Sequence, residues 1–221
     1  IEFLIEQKLG SNKRLVNMNL TAFADETASE SPAPGGGSIS AYVGALGVSL
    51  GAMVANLSSH KRGWDDRWEE FSAWAEKGMT YQKQMLQLVD EDTAAFNKIM
   101  EAFSLPKNTD EEKAARSAAI ESASKYAMEI PYRTAEIAYA SMEVMERMVE
   151  IGNPNSVTDA GVGALCARTA VLGAVMNVRI NASGIKDKAF TDAMLAKADE
   201  IEKQAEAKEA AIRAMVATAM S

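Results

Sequence analysis

Apolar residues recur at helical spacing along most of the chain, and no stretch keeps the strict alternation of a β-strand. The longest apolar run covers residues 39–57 and is rich in glycine and alanine, which predicts a helix that other backbones approach closely. At about 1.5 Å per residue this helix would extend about 30 Å, the length of a small domain. The pattern therefore predicts an all-α protein, a multihelical bundle of long antiparallel helices around this Gly/Ala-rich central helix.

Turn residues set the boundaries of the other predicted helices. Thr109 and Glu112 have the spacing of a capping box at the start of one of them, and Pro131 inside the same helix predicts a kink. The predicted helices cover residues 64–103, 109–151, 157–182 and 187–220, with a short one through 23–29 that Asn19 or Thr21 would cap.

The two ends of the chain suggest one helical domain with a junction before it. Residues 1–18 have a polar, flexible middle and are predicted to be a linker or inter-domain junction, and residues 19–221 form the predicted domain. The chain starts without Met and without a basic stretch before its first apolar residues. We therefore expect a cytoplasmic protein that is part of a longer polypeptide or a processed form.

Composition and charge exclude several classes of protein. Only 6% of the residues are aromatic, which favours helices over sheets, and the net charge of −8 argues against a nucleic-acid surface. A single cysteine and a single histidine leave no basis for a disulfide or a zinc site. The spacing of Gly47 and Gly51 would suit a membrane helix, but Ser40, Ser49 and Asn56 in the same run favour a soluble bundle.

The segment 31–38 is the first candidate site. Pro34 precedes three glycines, so the backbone there can turn sharply and lie close to another group. Ser38 is a predicted helix N-cap, and free N–H groups of the first helical turn would point back over the glycines, as in an anion or carboxylate seat. A Gly-rich turn in front of a buried helix, with no ligand, explains the same residues.

Asp92 is the second candidate. It shares a helix face with Leu88, Val89 and Ala95, so we expect its side chain to point inward, whereas Asp90 and Glu91 fall on other faces and are expected to be solvated. Burial raises the pKa of a carboxyl group, which suits proton transfer near neutral pH. A structural ion pair with a neighbouring helix is the alternative.

Further polar residues interrupt the apolar pattern near the end of the chain. Asn177 and Asn181 lie one turn apart on an otherwise apolar helix, where their amides need each other, a neighbouring backbone or a bound heterocycle as partners. Asp159 stands in the first turn after the Gly152–Asn153 connection, where it either complements the helix dipole or binds a ligand.

Taken together, these segments resemble the cyclodeaminase/cyclohydrolase family, which includes the C-terminal half of formiminotransferase-cyclodeaminase. The matching pieces follow one order along nearly the whole chain: residues 34–38 with the small-residue helix, 88–96, 105–113, Gly152 with Asn153, and 177–181. Residues 1–23 are similar to the junction that precedes this domain in the bifunctional enzyme.

The resemblance implies conversion of 5-formiminotetrahydrofolate to 5,10-methenyltetrahydrofolate with release of ammonia, a step of histidine degradation and one-carbon metabolism. It implies an all-helical homodimer without metal or prosthetic group, possible attachment to a formiminotransferase domain, and Asp92 as the catalytic acid. The anionic folate tail, polyglutamylated in some forms, would need local cations. The implied substrate-binding residues are Pro34, Gly35, Gly36, Gly37, Ser38, Lys61, Arg62, Lys107, Asn153, Asp159, Asn177 and Asn181.

Two alternatives remain at the level of sequence. A methenyltetrahydrofolate cyclohydrolase acts on the same methenyl bridge with water, and the core motif does not separate it from the deaminase. A non-catalytic helical dimerisation domain belongs to a different class, and a carboxylate on an apolar wall beside the 35–38 bend argues against it.

Overall fold

The structure is a computed structural model that describes residues 14–221. The described chain has six α-helices and no strand, which confirms the predicted all-α fold. The helices are α1 (Leu20–Thr27), α2 (Gly36–Ser59), α3 (Trp68–Ser104), α4 (Asp110–Ile151), α5 (Val157–Asn181) and α6 (Lys188–Ala219).

α2 is the central helix, as predicted. It packs against α3, α4 and α5, and glycine makes the closest of these contacts possible. A Cβ atom added to Gly47 would lie 2.7 Å from the Gly163 carbonyl oxygen, and a Cβ atom added to Gly163 would lie 2.7 Å from the Gly47 carbonyl oxygen. The backbones of α2 and α5 therefore touch directly, which explains why a buried helix tolerates several residues of low helix propensity.

Two helical stretches, Gly36–Ser59 and Pro154–Gly184, are long and apolar enough to cross a membrane. Within the bundle, 61% and 50% of their most apolar windows are buried. Packing inside the chain therefore accounts for much of their apolar character.

Most helix boundaries agree with the sequence pattern. The capping box is present: Thr109 Oγ1 accepts from the Glu112 backbone N–H at 3.2 Å, and Glu112 accepts from the Thr109 N–H at 3.2 Å. Asn19 caps α1, and α4 continues through Pro131 without interruption. α3 begins at Trp68, four residues later than predicted, because residues Asp65–Arg67 form a separate turn of 3-10 helix.

The segment before α1 lies against the bundle. Residues 1–13 of the predicted junction lie outside the described part, whereas Leu15–Asn17 form a 3-10 turn with Leu15 buried. The Leu15 N–H donates to Asp90 Oδ1 at 2.8 Å, and Arg14 Nε donates to Asp90 Oδ2 at 2.9 Å. The prediction that Asp90 is solvated is therefore wrong, because a segment 75 residues earlier in the chain covers it.

Candidate functional site

Asp92 is seated on the first turn of α2. Its Oδ2 accepts from the Ser38 backbone N–H at 2.9 Å and lies 3.0 Å from Ser38 Oγ. α3 presents the carboxylate and α2 presents the donating backbone N–H, so the packing of these two helices creates the contact. The two strongest sequence candidates, the glycine bend and Asp92, thus form one site.

Because Gly37 has no side chain, the Asp92 carboxylate can occupy the space beside its backbone. A Cβ atom at this position would overlap Asp92 Oδ1 and lie 2.6 Å from its Cγ. Only a residue without a side chain allows the carboxylate to reach the backbone here. The glycine is therefore required by close approach, as the sequence suggested.

Ser38 has a different role from the one predicted. Gly35 occupies the N-cap position of α2, and Ser38 lies inside the first turn with its side chain fully buried. Its hydroxyl oxygen lies 2.9 Å from the Val89 carbonyl oxygen and 3.0 Å from Asp92 Oδ2. A hydroxyl has one proton, so Ser38 donates to one of these acceptors at a time.

Thr93 follows Asp92 in the cavity lining, and no pattern in the sequence singles it out. A threonine in a helix usually donates to the carbonyl four residues earlier, as Thr80, Thr169 and Thr218 do here. For Thr93 that carbonyl belongs to Val89, which already receives Ser38. Thr93 Oγ1 is buried and has no hydrogen-bond partner.

A cavity of about 170 Å³ opens beside Asp92. Four elements form its walls: the bend before α2, the segment of α3 that begins at Asp92, α4 at Ala127, and the last two turns of α5. Its lining consists of Pro32, Ala33, Gly35, Gly36, Gly37, Asp92, Thr93, Ala95, Phe96, Ile99, Ala127, Asn177 and Asn181. Asp92 is the only charged side chain among these residues.

Burial raises the pKa of Asp92, and the two hydrogen bonds from Ser38 act in the opposite direction. α2 has no charged residue, α5 presents only amides to the cavity, and Glu91 beside Asp92 is engaged by Tyr126 and Arg133 of α4. Desolvation is therefore the dominant influence on this carboxyl group. The prediction that Glu91 is solvated is confirmed in part: its side chain is 31% exposed, and its carboxylate also accepts from the Tyr126 hydroxyl at 2.7 Å.

Asn177 and Asn181 both face the cavity. Asn177 Nδ2 donates to the Gly173 carbonyl at 2.8 Å, and Asn181 Nδ2 donates to the Ala127 carbonyl at 2.7 Å. These bonds hold the two amides in place one turn apart. Of the alternatives left open by the sequence, a backbone partner is present for each, and both side chains still line the cavity.

The other predicted substrate-binding residues lie elsewhere. Lys61 and Arg62 follow the far end of α2, about 36 Å along the helix from Gly36. The Asn153 N–H donates to Ser58 Oγ at 2.8 Å, so the connection before α5, with Asp159 behind it, lies at that same far end. Within one chain these four residues do not reach Asp92, because α2 separates them from it.

Pro34 and Lys107 also lie outside the cavity lining. Pro34 is buried behind the bend, where it follows a cis peptide bond from Ala33. Lys107 lies between α3 and α4. Among the described residues, no group of three His, Cys, Asp or Glu side chains is arranged to hold a metal ion.

Comparison with known proteins assigns the chain, with this fold and its Asp92 cavity, to a class of helical folate-converting enzymes. The sequence profile of the formiminotransferase-cyclodeaminase family matches residues 19–200. The chain belongs to this family.

Individual relatives support the assignment. A methenyltetrahydrofolate cyclohydrolase from Methylorubrum extorquens is 37% identical over 81% of this chain and 86% of its own length. The mouse formimidoyltransferase-cyclodeaminase is 32% identical over 87% of this chain, which spans 35% of that longer protein. The crystal structure of a formiminotetrahydrofolate cyclodeaminase from Thermotoga maritima superimposes with a TM-score of 0.80, covering 92% of this chain and 98% of that one at 27% identity.

Proposed function

We propose that the chain is a formiminotetrahydrofolate cyclodeaminase, an ammonia-lyase that converts 5-formiminotetrahydrofolate to 5,10-methenyltetrahydrofolate and ammonia. The observation that carries the proposal is the half-buried carboxylate of Asp92, held by Ser38 at the mouth of a cavity lined by two anchored amides. The similarity in fold to the Thermotoga maritima cyclodeaminase supports it.

The main task of the enzyme in this reaction is proton transfer, because the substrate itself supplies the nucleophile. N10 of the substrate attacks the formimino carbon of the same molecule, so the nucleophile is already tethered. One proton must then leave N10, and one must reach the departing nitrogen so that ammonia can leave. Ionised Asp92 takes the first proton and returns it as the second, which conserves both atoms and charge.

Ser38 lets Asp92 change its protonation state without losing a partner. When Asp92 is ionised, the Ser38 hydroxyl donates to Oδ2. When Asp92 carries the proton, it donates to Ser38 Oγ, and the Ser38 hydroxyl turns to the Val89 carbonyl 2.9 Å away.

The amides are assigned to the pterin ring of the substrate. Each NH2 group of Asn177 and Asn181 donates one of its two hydrogens to a backbone carbonyl. The amide oxygens would accept from the N–H groups of the pterin, and the second hydrogen of each NH2 group remains to donate. Phe96, which also lines the cavity, would offer an aromatic face for the ring.

Methenyltetrahydrofolate cyclohydrolase activity is the second candidate. The 37% identity to the Methylorubrum extorquens cyclohydrolase, over most of both chains, favours it. In that reaction water adds to the methenyl carbon, and Asp92 would act as the base on the attacking water.

One assay separates the two activities. The purified chain is incubated with 5-formiminotetrahydrofolate while methenyl absorbance and free ammonia are followed, and with methenyltetrahydrofolate alone in parallel. Formation of methenyl product with one equivalent of ammonia is expected. Turnover of the methenyl compound only would establish the cyclohydrolase, and turnover of neither would leave a helical dimerisation domain.

We also propose that the chain forms a homodimer through the outer faces of α2 and α5. Along α2, apolar residues at alternating spacings of four and three face outward, and α5 has a similar face, with no charged side chain on either. The exposed members are Leu46, Met53, Leu57, Val162, Leu165, Met176 and Ile180. An apolar face of this size is unusual on a monomer, and two-fold pairing is the commonest way to cover one.

A further inference from the structure

The Asp92 cavity is small for a ligand of the size of a folate. Its volume is about 170 Å³. Pockets that enclose a drug-sized ligand typically have volumes of about 300–1,000 Å³. Enclosing such a ligand beside Asp92 therefore requires that at least one wall of the cavity moves outward.

The helical walls of the cavity are held in place by contacts inside the bundle. α2 and α5 touch through their backbones at Gly47 and Gly163. α3 is joined to α2 by the hydrogen bond from the Ser38 N–H to Asp92, and α5 is joined to α4 by the side-chain amide of Asn181. Because each of these helices is fixed to another one, none of them can move alone to enlarge the cavity.

The remaining wall, which contains Pro32 and Ala33, belongs to a segment that is held much more weakly. This segment, residues 19–33, consists of α1 and the chain that leads from it towards the bend, and we call it the arm. No residue of the arm is buried. Within the described part of the chain, every hydrogen bond of the arm stays inside the arm, and no ion pair joins it to the other helices. A segment with so few contacts opens more easily than the packed helices around it.

One aromatic contact holds the middle of the arm against the bundle. Phe23 of α1 lies against Tyr42 of α2, with the ring centroids 5.2 Å apart and the ring planes inclined by 48°. Leu20, the other large apolar residue of α1, is 73% exposed and contributes little to this contact. The pairing of Phe23 with Tyr42 is therefore the contact that has to break when the arm moves outward.

Both ends of the arm are next to firm anchors. On one side, the N–H of buried Leu15 donates to Asp90 at 2.8 Å, and Arg14 Nε donates to the same carboxylate at 2.9 Å. On the other side, Pro34 is buried and leads into the first turn of α2. A segment that is fixed at both ends and weakly held between them can move as a unit, through dihedral changes at a few residues beside the anchors.

We propose that the arm is a lid over the Asp92 cavity. It moves outward to admit the ligand, and the contact between Phe23 and Tyr42 holds it in the closed position that the structure shows. The inference goes beyond the proposed function, because it concerns access to the cavity and not the reaction that takes place there.

The test measures lid opening through the reaction of a cysteine inside the cavity with a thiol reagent. Cys166→Ala removes the native cysteine, and Ala95→Cys places a reporter thiol in the cavity lining, at a position that is 2% exposed. The reagent is 5,5′-dithiobis(2-nitrobenzoate), in excess, whose bulky aromatic rings reach the thiol only when the lid is open. The absorbance of the released thionitrobenzoate gives the labelling rate.

Phe23→Ala in this background should increase the labelling rate about tenfold, because loss of the aromatic pair favours the open lid. Tyr42→Leu removes the other ring of the same contact and should have a similar effect. Leu20→Ala is the matched control: it shortens an apolar side chain of the same helix that is already exposed, and the rate should stay within about twofold of that of the background protein.

A second reporter separates lid opening from unfolding of the whole bundle. Ala198→Cys lies fully buried on α6, which packs against α4 and α5, and its labelling rate should not change when Phe23→Ala or Tyr42→Leu is added. Equal labelling of the cavity reporter in the Phe23→Ala, Tyr42→Leu and Leu20→Ala proteins would overturn the proposal, and so would an equal acceleration at both reporters. Because no folate is added, the result does not depend on the proposed function.

Discussion

At the scale of single residues, Asp92 serves the proposed reaction in its ionised form, and the burial of that form destabilises the fold. Burial raises its pKa, so the folded state binds the proton more tightly than the unfolded state does. This contribution to the free energy of unfolding is fully present below the pKa that Asp92 has in the unfolded chain. It is lost as the pH rises through the higher pKa of Asp92 in the folded protein. Near neutral pH the fold therefore bears the cost of an ionised, partly desolvated carboxylate.

Replacing Asp92 by Asn should abolish turnover and leave the fold intact. Because the neutral amide escapes the desolvation cost, we expect the Tm of Asp92→Asn to equal or exceed that of the wild type at pH 7. The difference should shrink as the pH is lowered below the pKa of Asp92. Thermal unfolding across a pH series measures this, and a variant with full activity would refute the role of Asp92.

Replacing Ser38 by Ala removes a donor to ionised Asp92 and should raise its pKa further. The acid limb of the kcat/KM profile should move to higher pH, and activity near neutrality should fall about tenfold, typical of a lost hydrogen bond to a charged group. Ser40→Ala is the control, since Ser40 donates only to the Gly36 carbonyl on the same helix. A Ser38→Ala profile that coincides with the control would show that the hydroxyl does not act on Asp92.

Replacing Gly37 by Ala should displace the carboxylate, because the added Cβ and Asp92 Oδ1 cannot occupy the same space. We expect a loss of activity of at least tenfold and a destabilisation of about 1–3 kcal/mol. Gly35→Ala is sterically milder, with its Cβ 3.7 Å from the Pro32 carbonyl oxygen, and should cost less in both measurements. Equal effects of the two variants would indicate that the loss of glycine's backbone flexibility, and not the clash with Asp92, lowers activity and stability.

At the scale of helices, the backbone contact between α2 and α5 sets the distance between two of the helices that border the cavity. Gly47→Ala should destabilise the bundle by about 1–3 kcal/mol in chemical denaturation, because the nearest atom to the new Cβ is a backbone oxygen that cannot rotate away. Gly184→Ala, where the Cβ would meet only Ser124 Oγ at 4.0 Å, should change stability by less than about 0.5 kcal/mol.

Helices were predictable from the sequence because their signals are local. The small residues of α2, the capping box of α4 and the inward face of Asp92 all follow from spacings of three and four residues. The pairing of Ser38 with Asp92 joins residues 54 positions apart, and no local pattern identifies it. Sequence proximity was misleading for Lys61 and Arg62, because the helix that follows the bend carries them away from it.

At the scale of the whole molecule, the outer faces of α2 and α5 predict the assembly state. Leu46→Glu/Val162→Glu places charges in the proposed interface and should convert a dimer to a monomer in light scattering coupled to size exclusion. Leu20→Glu is the control, since Leu20 is 73% exposed and lies on α1, outside that face. A wild type that is monomeric at micromolar concentration would contradict the proposed interface.

The absence of a side chain at Gly37 has a consequence for the evolution of related chains. The missing side chain serves the acid on the facing helix, so a descendant that lost the acid would no longer be constrained to keep the glycine. Relatives with alanine or serine at that point would then mark lineages in which the bundle survives as architecture after its chemistry has gone.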